Sequence, residues 1–230
     1  MWNNLTTRLA NITLNHEWDD FKWNLDQTGV FSVKSHYLRL IHRNIPNTNK
    51  KLWKLKIPLK IKIFLWYLKQ GVILTKDNLA RRNWQGSQQY CFCYEDETIQ
   101  HLFFGCRVTR LVWASVYAAW GLPKLSGVSN MFENWLNGIS KDYKPLVLVG
   151  AAALCWSVWR CRNAMVFYNK RHSFLQVIFA TTHWLRTWAI LQRPSSQDTL
   201  VAASLFLAQV AKDFFARAHV WQSSLRIDSY

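Results

Sequence analysis

"YCFCYEDETIQHLFFGC", residues 90–106, sets three cysteines and one histidine in the spacing Cys91-x-Cys93-x7-His101-x4-Cys106. Zinc favours soft thiolates and imidazole in a four-ligand cage, usually built from two close pairs. His101 and Cys106 can supply one pair. Five residues on an ideal α-helix turn two side chains well apart. A left-handed Gly105 would end the helix there and let Cys106 swing back toward His101. Cys91 and Cys93, with a single residue between them, are closer than the usual two to four. An extended segment would nevertheless point both thiols to one side. The same residues could instead be two buried thiols, a core histidine and an unrelated cysteine. The clustering favours a zinc site held by Cys91, Cys93, His101 and Cys106.

The rest of the 230 residues narrows the setting. The chain carries 29 Lys and Arg against 13 Asp and Glu, a formal charge of +16, and 14 Trp. Half of it is hydrophobic, enough for a substantial core and unlike a disordered chain. So large a positive charge predicts attraction to polyanions, either nucleic acid or an anionic membrane surface. The start, "MWNNLTTRLANITLNHEWDD", lacks the basic and apolar regions of a signal peptide. A nuclear or cytoplasmic, non-secreted protein is expected, with its five cysteines serving as metal ligands or free thiols. The run "LVLVGAAALCWSVW" (146–159) is shorter than the roughly 20 residues that span a bilayer and reads as a buried helix, so no membrane partner is expected.

Charge is unevenly spread. From Lys34 to Arg82 there are thirteen Lys and Arg against one acid, Asp77. Within "KKLWKLKIPLKIKIFLWYLKQ" (50–70) cations alternate with Trp53, Trp66 and Tyr67. Cations neutralise phosphates and exposed aromatics stack on unpaired bases. Lys50, Lys51, Lys54, Lys56, Lys60, Lys62, Lys69, Arg81 and Arg82 are therefore the expected nucleic-acid contacts, RNA or DNA.

The periodicity predicts a mainly α protein. "FKWNLDQTGVFSV" (21–33) reads as a short hairpin, followed by a helix capped by Ser32 or Ser35 and carrying Tyr37, Leu38 and Ile41. "IPLKIKIFLWYLKQG" (57–71) has Pro58 at a helix start, Gly71 past its end, and Ile61, Phe64, Leu65 and Leu68 as the inward stripe. Thr75 is a candidate cap for a short helix after it. A helix interrupted near Gly105 resumes through "RVTRLVWASVYAAWG" (107–121). Long helices are expected near 145–168, 172–192 and 198–218, with Pro194-Ser195-Ser196 separating the last two. Gly, Pro and Ser in "GLPKLSGVSN" (121–130) suggest three parts: a zinc-binding domain at 1–120, a linker at 121–144 and a helical region at 145–230.

The order of these motifs resembles the zinc-binding domain that follows the reverse transcriptase domain in plant non-LTR (LINE-type) retrotransposons. The resemblance runs through "WNLDQTGVFSVKSHY" (23–37), "LWKLKIPLKIKIFLWYL" (52–68), "ILTKDNLARR" (73–82) and "DETIQHLFFGC" (96–106), covering roughly residues 17–113. "LCWSVWRCRNAMVF" (154–167) is similar to the segment that follows this domain. The resemblance implies Cys93, His101 and Cys106 as zinc ligands. It also puts Tyr90 where the family has its first cysteine. Cys91 lies one residue later and is expected to substitute through a backbone shift; otherwise water or a carboxylate such as Asp96 completes the site.

No catalytic constellation accompanies these motifs. Polymerase and RNase H chemistry need clustered carboxylates holding two metals. Asp19-Asp20 reads as a solvated strand entrance, and Glu133, Asp142, Asp198, Asp213 and Asp228 are scattered. Gly-x-Ser-x-Gly and phosphate-cradling Gly-rich loops are missing. A non-catalytic module is expected. The competing expectation is a scaffold fragment whose Trp156, Trp159, Trp184, Trp188 and Trp221 help helices pack on an absent polymerase or RNase H domain, or on a second copy of the chain.

Overall fold

The computed structural model describes residues 22–24, 28–36 and 49–227, with side chains as far as Arg217. They fall into two compact units, Met1–Asn47 and Thr48–Tyr230.

In the first unit a single backbone bond, Trp23 N–H to the Gly29 carbonyl (2.7 Å), closes the turn expected of the hairpin. No strand forms among the described residues, and residues 21 and 25–27 of the expected hairpin lie outside them. Trp23 holds the turn by side-chain contacts instead. Its indole N–H donates to Ser35 Oγ (2.8 Å), and its ring meets Phe31 edge-on at 4.8 Å. Ser32, one of the two expected caps, accepts the Ser35 backbone N–H (3.0 Å) at the start of the helical turn 33–36. Tyr37, Leu38 and Ile41 lie outside the described residues.

The second unit is mainly helical among its described residues. It comprises α1 (Lys50–Lys54), α2 (Leu59–Lys69), α3 (Lys76–Ala80), a π-helical turn (His101–Gly105), α4 (Arg107–Trp120), α5 (Val128–Phe132), α6 (Tyr143–Tyr168), α7 (Phe174–Ala189) and α8 (Pro194–Ile227). Pro58 precedes α2, whose Ile61, Phe64, Leu65 and Leu68 are all buried. Gly71 turns the chain out with φ +70°, a conformation glycine adopts without penalty. Ser173 and Gln176 form a reciprocal capping box at the start of α7. Pro194, expected in a loop, is the first residue of α8, where its missing N–H costs nothing.

The core is organised around α6. Leu148, Val149, Ala151–Leu154 and Val158 are buried on nearly every face, as expected of a helix enclosed by others. Helix α7 packs on α6, and α8 packs along α7 and against α4. Residues 121–144, expected as a linker, contain α5 and bury Leu125, Met131, Phe132, Trp135 and Leu136. Trp135 donates its indole N–H to the Pro123 carbonyl (2.7 Å), pinning this segment to itself.

Three helices meet at a glycine. A methyl group on Gly150 of α6 would come within 2.6 Å of the Trp120 ring at the end of α4, and the Trp120 indole N–H reaches the Ala203 carbonyl of α8 (3.3 Å). Gly150→Val should therefore destabilise the unit by about 1–3 kcal/mol through overpacking, read as a lowered urea midpoint with an unchanged slope. An unshifted midpoint would show that Trp120 moves aside freely.

The buried positions of α8 are Leu200, Ser204, Leu207 and Ala211, a stripe at helical spacing, while Val201, Leu205 and Phe206 face outward. Pro194–Arg217 is also the one helix among the described residues long and apolar enough to cross a membrane by length and composition.

Candidate metal centre

The cysteine segment is a tight knuckle. Tyr90 N–H donates to the Glu95 carbonyl (2.8 Å), Glu97 N–H to the Gln88 carbonyl (2.9 Å), and Gln89 bridges Asp96. Residues 91–95 are turn and bend, not strand, so alternation does not align Cys91 with Cys93. Thr98 then opens the next helical turn, accepting the His101 N–H on its hydroxyl (3.0 Å).

His101 and Cys106 are brought together by a device different from the expected one. Gly105 is not left-handed. The Cys106 N–H instead bonds the His101 carbonyl five residues back (2.8 Å), the i→i+5 bond of a π turn. A five-residue separation that fits an α-helix poorly closes naturally in this wider turn. A methyl group built on Gly105 would lie 3.5 Å from the Gln100 carbonyl and from His101 Nδ1, ordinary contact distances, so the turn does not require glycine for space.

The ligand atoms of Cys93, His101 and Cys106 lie within 4.8 Å of one another, and Cys93 Sγ is 3.0 Å from His101 Nε2. Zinc at about 2.3 Å from sulfur and about 2.1 Å from nitrogen would hold tetrahedral ligand atoms roughly 3.6–3.8 Å apart. The trio fits a cation at its centre after a small opening of the Cys93–His101 contact. Burial pushes the Cys106 thiol above its ordinary value, against the lowering influence of the Val108 and Thr109 backbone amides.

Cys91 is not in this group, and neither is Asp96, which is exposed. Burial, and after it the Glu97 carboxylate, pushes the Cys91 thiol up to about 11, and Cys161 lies near enough to interact with it electrostatically. Tyr90 is buried and packs edge-on against His101 (5.5 Å) and Phe92 (5.4 Å). Burial raises its phenol far above the ordinary tyrosine value. Cys91→Ser should retain wild-type metal stoichiometry in elemental analysis; a loss of bound metal would place Cys91 in the coordination sphere.

Two residues that the sequence reading passed over brace the knuckle. The Glu97 side chain is fully buried and Arg162 is 4% exposed. Arg162 Nη2 donates to Glu97 Oε1 at 2.6 Å, and its Nε reaches Oε1 and Oε2 at 3.1 and 3.2 Å. Glu97 Oε1 also accepts the Lys76 N–H (3.0 Å), so it supplies the side-chain cap of α3 that was expected from Thr75. Arg162 lies over the Trp159 ring at 5.2 Å. A spacing of 65 residues gives no periodic signal that could have linked Glu97 to Arg162.

The expected nucleic-acid contacts divide into two sets. Lys51 donates to the Phe132 carbonyl (3.2 Å), Lys62 to the Trp53 carbonyl (3.0 Å), Lys69 sits over the Phe132 ring (5.7 Å), and Arg81 reaches Asn78 Oδ1 (3.2 Å). Lys50, Lys54, Lys56, Lys60 and Arg82 are exposed, as are Trp53, Tyr67 and Trp84. Phe64 is core, whereas Trp66 is half-buried beside Tyr67 (5.1 Å).

Residues 31–113 match the family model described as zinc-binding in reverse transcriptase. That segment is similar to this family. The chain is also 26% identical over 155 residues to a protein of Arabidopsis thaliana named "Putative ribonuclease H protein", an alignment covering 63% of this chain and 25% of the relative. The chain therefore spans about a quarter of that relative's length. No solved structure matches. The π turn and its three converging ligand side chains lie inside the matched segment, while Arg162 lies beyond it.

Proposed function

We propose that the protein is a non-catalytic, zinc-binding, nucleic-acid-binding module derived from the reverse transcriptase polyprotein of a plant non-LTR retrotransposon, resident in nucleus or cytoplasm. Cys93, His101 and Cys106 hold the ion, which ties the knuckle to the start of α4. The observation that carries the nucleic-acid reading is charge. Thirteen cations against one acid between Lys34 and Arg82 greatly exceed what solubility requires. Exposed Trp53, Tyr67 and Trp84 add surfaces on which unpaired bases can stack. Two acids near the site are already engaged, Glu97 by Arg162 and Asp77 by Arg81, which supports binding over catalysis.

Fluorescence anisotropy with labelled single-stranded RNA and DNA, titrated at several salt concentrations, tests this reading. Affinity should fall steeply and linearly on logarithmic axes as counterions compete. A flat dependence, or no binding in dilute buffer, overturns it.

The outward face of α8 favours a second reading, a scaffold fragment. Val201, Leu205 and Phe206 are exposed together on a helix whose opposite stripe is already buried. Such a face suits a polymerase or RNase H domain, or a second copy of the chain. Light scattering after size exclusion distinguishes them, since a stable monomer at high concentration rules out self-association.

A further inference from the structure

A groove of about 650 Å³ runs beside the metal-binding turn, along the first three turns of α4. Phe104, Trp113 and Tyr117 form its aromatic side, and Arg107, Arg110 and Lys124 line it without any acidic residue. Arg107 and Arg110 share a helix face at i,i+3 and are exposed, as is Lys124. None of the three belongs to an ion pair among the described residues. Both arginines sit near the N-terminus of α4, where the helix dipole disfavours cations, and no acid in the first turn offsets them. Local stability would choose other residues here.

The rings are held in place. Phe104 stacks on Trp113 at 5.7 Å and Trp113 on Tyr117 at 5.8 Å, both with 22° between planes. Trp113 is 2% exposed and donates its indole N–H to the Phe103 carbonyl (2.8 Å). The Tyr117 hydroxyl accepts the Leu125 N–H (2.9 Å). Phe104 and Tyr117, both half-buried, leave ring surface toward the groove. Fixed aromatic faces bordered by unpaired cations are the chemistry that holds unpaired bases and their phosphates.

We infer that this groove on α4 seats a short run of single-stranded nucleic acid, its phosphates on Arg107, Arg110 and Lys124 and a base against the Phe104–Tyr117 side. The inference rests on the nucleic-acid reading above and moves the principal contact from the lysines of α1 and α2 to the helix that begins at Cys106.

The test uses the full chain and fluorescein-labelled ten-nucleotide oligo(dT) and oligo(U). Arg107→Glu/Arg110→Glu should weaken binding at least tenfold and reduce the logarithmic salt slope by about 2. Acids at a helix N-terminus favour the helix, so this loss would not come from unfolding; Arg107→Gln/Arg110→Gln should show a smaller loss in the same direction. The matched pair Lys56→Glu/Lys60→Glu should lose less. Photocrosslinking of a 5-bromouracil oligonucleotide to wild-type protein should label the peptide containing Phe104 or Tyr117. If wild type binds but the groove variants bind as well as it does, or crosslinks fall only in residues 50–84, the inference is overturned while the nucleic-acid reading stands. If wild type binds neither oligonucleotide, both fall. Competition by poly-glutamate at equal charge concentration also overturns the inference, marking the groove as a site for acidic peptides.

Discussion

Arg162→Met should destabilise the helical unit by about 3–5 kcal/mol, the largest single-residue effect expected outside the metal ligands. The reason lies in what remains. Glu97 is fully buried, and its carboxylate would keep only the Lys76 N–H after losing every guanidinium contact. An ionised carboxylate without its counter-charge cannot stay in that environment cheaply. Urea unfolding followed by far-UV circular dichroism measures the loss, and the double variant Glu97→Gln/Arg162→Met should recover part of it. Removing a buried pair together is far milder than orphaning one partner. A single-variant loss below about 1 kcal/mol would mean that water reaches Glu97 and that the pair is not a sealed contact.

Metal removal is the second large effect, and it should be local. Cys106→Ser and His101→Ala should each weaken zinc binding by more than about a hundredfold, because even outer-shell partners are worth about 10–100-fold. Competition with a zinc indicator reads the affinity. Hydrogen exchange reads the consequence: on chelation the Tyr90 and Glu97 amides, bonded within the knuckle, should lose protection. Amides deep in α6, such as those of Ala152 and Leu154, should keep theirs, since that helix is enclosed by apolar contacts independent of the ion. Unfolding of the whole unit by chelator would show that metal energy supports the fold and not only the knuckle.

The α2 stripe, the interruption before α4 and the three long C-terminal helices were legible because each rests on local periodicity or on Pro and Gly punctuation. Their ends were less so. Pro194 read as a break but is the first residue of a helix, a position its ring favours. The metal site was partly legible. Spacing pointed to Cys91, Cys93, His101 and Cys106, and the family resemblance to the last three, yet the π turn that joins His101 to Cys106 carries no sequence signature of its own. Cys91 stands apart from these three because the chain bends at 91–95, where extended geometry was expected. The brace from Arg162 was invisible, since a contact 65 residues apart is set by tertiary packing alone. The groove cations were passed over for a different reason: Arg107, Arg110 and Lys124 do not form a run, and only the helix and the loop after it gather them.

The Glu97–Arg162 contact also carries a timetable. Glu97 leaves the ribosome 65 residues ahead of its partner. At about 5–20 residues per second, the nascent carboxylate waits roughly 3–13 seconds for its guanidinium. Throughout that interval the cysteine knuckle is complete in covalent terms while its seat on α6 is still being translated. Its thiols are thus exposed to any available metal ion before they meet the rest of their domain.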